Sequence, residues 1–385
     1  MTNRRPNKAP KWLVMLLAFW AISCEQEIQH EAMMIPPYSF LLGAYTGQDS
    51  EGIGLLEFDP ENQVLRTQTI AKGVQNPSFV ISNKAQTLVF AVEEIAGENG
   101  GKVKSFQFDR ENNTLKLLDS QDSHGDHPCY LTLDPSEEFL VVGNYSSGNF
   151  SVYKLNQGKM QWLQTIQHEG QSVNADRQGQ AHVHSLVFHP GGKHLLVGDL
   201  GTDKIHLYQF NPSYAVPFQH ANPSYVEVSA GAGPRHLAIH PNGQFVYLIH
   251  ELSAEIGVYR FDEGKMRAIS QVPLTDKEFV GNVGAAEIRI SPDTKHIYAS
   301  NRGDANDISV YEIGKDGELK FVQRIKSGGE MPRNFILTKD GKYLLAAHQA
   351  SNNITVFERD QKTGVLEPLD FQVKFERPVY FFGLD

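Results

Sequence analysis

Gly233-Pro234-Arg235-His236-Leu237-Ala238-Ile239 runs into Pro241-Asn242-Gly243, and Phe245 to Ile249 follows directly. A proline opens an apolar run, a tight turn reverses the chain, and a second apolar run returns; Ile256 to Phe261 supplies a third. Proline presets φ and glycine accepts positive φ, so the tripeptide reads as a hairpin turn between two strands. The same pattern recurs over Pro128 to Leu155, His182 to Phe210, Ala285 to Ile313 and Pro332 to Glu358. Its opening position falls at Pro77, Pro128, Val183, Pro234, Ala285, Pro332 and Pro378, with spacings of 51, 55, 51, 51, 47 and 46 residues. Six of these anchors are followed seven residues later by the start of a turn, at Lys84, Pro135, Pro190, Pro241, Pro292 and Lys339. A period near fifty, built of strands rich in Val, Ile, Phe, Tyr and Leu, is the signature of a β-propeller.

Seven anchors predict an all-β, seven-bladed β-propeller of four-stranded blades. The seventh anchor, in Arg377-Pro378-Val379-Tyr380, opens an inner strand with no partner after it. Tyr38-Ser39-Phe40-Leu41-Leu42-Gly43 reads as a second strand with no inner strand before it. The last blade is therefore expected to be closed by both termini, which removes the open edge of the ring.

The repeat occupies residues 38–385 of the 385, so one propeller domain accounts for that span. A net charge of −10 argues against nucleic acid as a partner. Ahead of the repeat, Arg4, Arg5, Lys8 and Lys11 precede an apolar run from Trp12 to Ala21. That run is too short to span a bilayer and suits the core of a signal peptide. It ends in Ala21-Ile22-Ser23-Cys24, which resembles the lipobox of bacterial lipoproteins. The expectation is a signal peptide over residues 1–23, lipidation at Cys24, and a polar tether over 24–37. The mature protein would then be exported and held on a bacterial membrane by its lipid anchor, on the periplasmic face or the cell surface. Cys129 is the only other cysteine, so no intramolecular disulfide follows, and a buried structural thiol is expected there.

The first two strands of a blade run antiparallel, so the start of one and the end of the other lie on the same face of the disc. One past the anchors stand Ser78, Cys129, His184, Arg235, Ala286, Arg333 and Val379. At the ends of the second strands stand Tyr45, Glu94, Tyr145, Leu200, Glu251, Arg302 and Gln349, each preceded by one of Ala44, Glu93, Asn144, Asp199, His250, Asn301 and His348. Scaffold alone asks for small or apolar residues here, yet three arginines, a histidine and several carboxylates converge on one funnel. A neutral imidazole or a carboxylate can take a proton from water, and guanidinium groups hold developing charge on oxygen. That set suits attack on an ester or lactone carbonyl, and equally suits the grip of an anionic sugar acid or phosphate. His184, Arg235, Glu251 and Arg302 are the catalytic candidates; Arg333, Gln349 and Asn301 are substrate-binding candidates. The plainer alternatives are a structural Glu251–Arg302 ion pair and, for Asp199 before Gly201, a turn former.

A channel calcium ion is the competing chemistry, with Glu93, Glu94, Asn144, Asp199 and Asn301 as the available oxygens. The interleaved arginines oppose a cation, and no thiol or histidine cluster suggests zinc, so neither a metal nor a cofactor is expected. Phosphate-cradling glycine loops and nucleophile elbows are absent from the sequence.

Five segments in order carry a resemblance. They are Gly43-Ala44-Tyr45-Thr46; His182-Val183-His184 with Asp199-Leu200-Gly201-Thr202-Asp203-Lys204; Gly233-Pro234-Arg235-His236; Ser300-Asn301-Arg302; and Ala346-Ala347-His348-Gln349. Together they resemble the seven-bladed propeller lactonase family, which includes the bacterial propeller-type 6-phosphogluconolactonases and the carboxy-cis,cis-muconate cyclase. The resemblance spans about residues 38–385 and implies a metal-free site of one histidine, one glutamate and two arginines, falling on His184, Glu251, Arg235 and Arg302. It implies a lactonase whose substrate is a small sugar lactone. Export would separate the chain from the cytoplasmic 6-phosphogluconolactone, so gluconolactone-like substrates stand beside it. The alternatives are a lactone-forming cyclase, or a non-catalytic propeller that binds an anionic ligand or glycan. The strands around Tyr343 to Ala347 and Asn353 to Val356 also resemble surface-layer propellers.

Overall fold

Twenty-eight strands form seven four-stranded antiparallel sheets, and each sheet is one blade. The computed structural model describes residues 1–3, 37–47, 52–98 and 100–384. The expected signal core, Cys24 and all but the last residue of the tether lie outside the described residues. No helix occurs among those described.

Six blades are continuous in sequence. The one opening at Pro234 is typical, with Pro234–Ile239 innermost, then Phe245–His250, Glu255–Asp262 and Lys265–Pro273 outward. Six of the seven anchors are the first residue of an inner strand; the exception is Pro77, whose strand begins at Val80. The residue before a proline is barred from the right-handed helical region. Asn76, His127, Gly233, Met331 and Arg377 meet that restriction with positive φ, whereas His182 and Gly284, before Val183 and Ala285, do not need it.

The seventh blade has the order Pro378–Leu384, Tyr38–Ala44, Gly52–Asp59, Val64–Lys72. Leu42 pairs with Phe381 and Leu41 with Phe382, so both ends of the described chain close the ring as the sequence predicts. Seven buried apolar clusters hold the ring together, and each is drawn from two adjacent blades. Between the closing blade and its predecessor, for example, Phe40, Leu56 and Phe58 pack with Leu345, Ile354 and Val356. Every blade is thus buried on both faces. That burial explains why the two middle strands read as continuous hydrophobic runs.

Candidate active site

In six of the seven blades the inner strand breaks register directly after its anchor; Val80–Ser82 pairs without a break. Pro234 pairs with His250 and His236 with Ile249, leaving Arg235 unpaired. His184, Cys129 and Arg333 are skipped in the same way in their blades. A bulged residue leaves the ladder and re-aims its side chain. These bulges therefore turn Cys129, His184, Arg235 and Arg333 out of their ladders at the channel end of the strands.

A cavity of about 390 Å³ opens there, lined by Tyr45, Glu94, Cys129, Tyr145, Arg177, His184, Glu251, Arg302 and Arg333. Eight of the nine come from the two rim sets read from the sequence. Glu251 is its electrostatic centre. Oε1 accepts from Arg177 Nη2 at 2.6 Å; Oε2 accepts from Arg235 Nε at 2.8 Å and lies 3.0 Å from Arg302 Nη2. Burial works to raise its pKa, but Arg302 and Arg235, helped by His184 and Arg177, hold the carboxyl well below the usual range. The group is ionised, and both of its oxygens are engaged by guanidiniums, with acceptor capacity left on Oε1.

His184 Nε2 lies 3.9 Å from Glu251 Oε2, too far for a hydrogen bond, and Nδ1 is buried with no partner. The ring meets Tyr145 and His236 edge-on, with centroids 5.4 and 5.2 Å away. Burial, then Arg235 and His236, push its pKa well below 6.5 against the pull of Glu251. The imidazole is therefore neutral, with an unused nitrogen. Among the described residues, the ring is a neutral proton acceptor lining the cavity with no protein hydrogen bond.

Arg235 does not line the cavity. It is 2% exposed and lies behind Glu251, with Nη1 donating to His236 Nε2 at 3.2 Å and to the Ala286 carbonyl. Burial, with Arg302 and Arg333, lowers its pKa to about 10, so it stays cationic at neutral pH. Arg302 is fixed by donation from Nε to the Gly284 carbonyl at 2.7 Å. Arg333 donates to Tyr45 Oη at 3.2 Å, and Tyr45 donates to Glu94 Oε1 at 2.9 Å; Ser78 Oγ donates to the other oxygen of Glu94.

Asn301 and Gln349 are not among the lining residues. Asn301 is fully buried, and its Oδ1 accepts from the Gly284 backbone; Gln349 Oε1 is buried without a partner. Asn301 follows a rule shared by the residues that precede the strand ends. Strand side chains alternate, so the residue before a cavity-facing one turns into its own blade. Ala44, Glu93, Asn144, Asp199, His250 and His348 are all buried likewise. Asn144 bonds Ser123 and Asn149, Glu93 bonds Lys104, and Asp199 Oδ1 accepts three backbone N–H groups from His182, Gly201 and Thr202. The oxygens considered for calcium are thus dispersed into separate blades, Glu94 alone reaching the cavity.

Among the described residues one group has metal-ligand composition: His168, Asp199 and His206. The two imidazoles stack at 3.8 Å, and both nitrogens of His168 are engaged, by Asp199 and by Tyr208. Stacked rings direct their lone pairs along separate planes, which is a poor fit to a tetrahedral ion. Cys129 is buried, and burial raises its thiol pKa strongly. Arg177 is the lining residue the rim argument missed. It stands on the crossover 168–182, and the only sequence signal for it is the 55-residue spacing, the longest of the six.

With this geometry, the relatives are informative. A family model described as "Lactonase, 7-bladed beta-propeller" matches residues 39–382. A 6-phosphogluconolactonase of Bacillus subtilis is 31% identical over 347 residues, covering 89% of this chain and 97% of that protein. A second, from Formosa agariphila, is 32% identical, covering 85% and 94% respectively. Among solved structures, the periplasmic gluconolactonase PpgL of Pseudomonas aeruginosa superposes with a TM-score of 0.85 at 31% identity, covering 90% of this chain and 99% of that one. The blade count, the closure of the ring by both ends and the full-length matches agree: this chain belongs to the seven-bladed β-propeller lactonase family.

Proposed function

We propose that the cavity hydrolyses a sugar lactone to the open sugar acid by metal-free attack of water. The observation that carries this is the pairing of a neutral, unpartnered imidazole at His184 with an ionised Glu251, 3.9 Å apart beneath three guanidiniums. Water oxygen adds to the lactone carbonyl carbon while His184 takes its proton. The ring C–O bond then breaks, and the proton passes to the departing ring oxygen. Arg302 and Arg333, which line the cavity, stabilise the carbonyl oxygen as charge develops on it. Glu251 orients the water and stabilises the imidazolium that forms. Arg235, behind the carboxylate, holds Glu251 in place and is a positioning residue.

The apolar run Trp12–Ala21 with Cys24, together with the similarity to a periplasmic gluconolactonase, supports an exported lipoprotein. Metabolic palmitate labelling of the full chain tests this, with loss of label in Cys24→Ala as the expected result.

The activity test is acid release, followed by pH-stat, from δ-gluconolactone and 6-phosphogluconolactone with residues 25–385. Arg302→Ala is the control for spontaneous opening. Excess acid over that control supports the lactonase reading; no excess with either substrate rejects both substrates.

A further inference from the structure

The crossover 168–182 is the longest link between an outer strand and the next inner strand, fifteen residues, and it is built to hold one shape. At its root, His168 Nδ1 meets Asp199 Oδ2 at 2.9 Å and its Nε2 meets Tyr208 Oη at 2.9 Å, all buried. At its centre, fully buried Gln178 donates to the Leu200 carbonyl at 2.9 Å, and its Oε1 accepts from Asn174 N. Ser172 N donates to the Gln178 carbonyl at 2.9 Å, and Ser172 Oγ donates to Asp203. A loop pinned at its root and through its middle presents its remaining side chains with little entropy left to lose.

What it presents is Arg177. Nη2 donates to Glu251 Oε1 at 2.6 Å and to Tyr145 Oη at 3.3 Å, while Nε and Nη1 bond no described residue. The side chain is 43% exposed, against 10% for Arg302 and 2% for Arg235. Arg177 is thus the guanidinium of the Glu251 cluster nearest to solvent, with two donor nitrogens to spare. Three arginines (177, 302 and 333) line the cavity against two carboxylates, Glu94 and Glu251, and Arg235 behind them also feels Glu287, leaving one positive charge in excess around the cavity. Partly buried cations without counter-charges favour an anionic ligand.

We infer that Arg177 is the specificity-determining residue of this site: from the rigid crossover it binds a phosphate or carboxylate group carried by the ligand at the end away from the reacting carbonyl. The role of a reacting carbonyl rests on the lactonase reading; the recognition of an anionic sugar acid does not. A neutral ligand leaves Arg177 on Glu251, whereas an anionic one engages Nε and Nη1 and adds charge-assisted bonds.

The test is calorimetric binding of three product acids, 6-phosphogluconate, glucarate and gluconate, to residues 25–385. Each carries the carboxylate that opening creates, and the first two carry a second anion at the far end. The wild-type protein is expected to prefer one of those two over gluconate by about tenfold or more, and which one identifies phosphate or carboxylate as the group read. In Arg177→Met that preference falls to about threefold or less, and Arg177→Lys, which keeps charge but not the planar fork, is intermediate. Equal wild-type affinity for all three acids, a preference that survives Arg177→Met, or no binding of any acid overturns the inference. Binding with the expected preference but no lactone turnover supports the inference while rejecting the lactonase reading.

Discussion

Arg235 Nε lies 2.8 Å from Glu251 Oε2, and of the two only Glu251 lines the cavity. The carboxylate is held from behind by a cation that is itself fixed by His236 and the Ala286 carbonyl. The pair therefore works through geometry: the arginine sets where the carboxylate stands.

Removing that cation leaves Glu251 buried with Arg302 and Arg177 only. Breaking one partner of a buried ion pair costs about 3–5 kcal/mol, and the two remaining guanidiniums place Arg235→Ala near the lower end, about 3 kcal/mol. The urea midpoint should fall accordingly, and lactone turnover should drop at least ~100-fold. Arg235→Lys should regain much of the stability and little of the rate, because an ammonium cannot bond Glu251, His236 and the Ala286 carbonyl in one plane. An Arg235→Ala protein with wild-type midpoint and rate would refute the positioning role.

The pH dependence of the rate follows from the two acids beside each other. Glu251 is ionised, and His184 is neutral, well below the usual pH range of either titration. The value of kcat/KM should therefore show no step near pH 6.5 and should fall only at more acid pH, as His184 takes up a proton. Initial rates between pH 5 and 7.5, corrected with Arg302→Ala, check this. An acid limb centred on 6.5 would contradict a His184 base held well below its ordinary pKa.

Stability has its own pH signature. Burial lowers His236, His250 and His348 to about 4, with Arg235 contributing at His236. Between 6.5 and about 4 the unfolded chain binds protons at these residues that the folded protein refuses. Stability is therefore full above 6.5 and declines as pH falls, by up to ~1.4 kcal/mol per pH unit for each histidine. Thermal unfolding should show Tm falling steadily from pH 7 to pH 5. A flat profile would contradict the burial of these rings.

Gly201 gives a handle on the crossover that carries Arg177. A Cβ there would stand 1.8 Å from the Gln180 carbonyl oxygen and 2.9 Å from His182 N, both backbone atoms that cannot rotate away. Gly201→Ala should cost about 1–3 kcal/mol and displace the end of the crossover. Because Arg177 and His184 lie on either side of that point, activity should fall along with stability. A protein that keeps full activity despite the lowered midpoint would show that the crossover does not serve the site.

Chelation should do nothing. Three guanidiniums line the cavity and a fourth stands behind it, an unfavourable setting for a divalent cation. Turnover in EDTA should match turnover in buffer; loss that calcium or magnesium restores would overturn the metal-free mechanism.

Much of this was legible in the sequence because the fold repeats. Anchor, turn and strand recur at equivalent positions, so the topology makes Cys129, His184, Arg235 and Arg333 neighbours without any knowledge of distance. Two things escaped. The sequence offers no sign of the bulge after Pro234, and without it the depth of Arg235 behind Glu251 cannot be foreseen. Asn301 adjoins Arg302 in the sequence and shares its place on the rim, yet strand alternation sends adjacent side chains to opposite faces. Arg177 belongs to a crossover, where no period operates. Only the surplus length between the anchors at Pro128 and Val183 marks that a blade carries something extra there.

The strand Pro378–Leu384 pairs with Tyr38–Ala44, so the ring cannot be completed until that strand has been synthesised. A chain still emerging from the ribosome has three strands of its first sheet waiting for a partner more than three hundred residues away. The innermost position of that sheet stays vacant until then, and its closure has the highest sequence separation of any strand pairing among the described residues, formed late and against the largest loop entropy. Assembly of the disc is therefore timed by the synthesis of that one strand. A chain stopped even a few residues short of Pro378 would hold six intact sheets and an open seam.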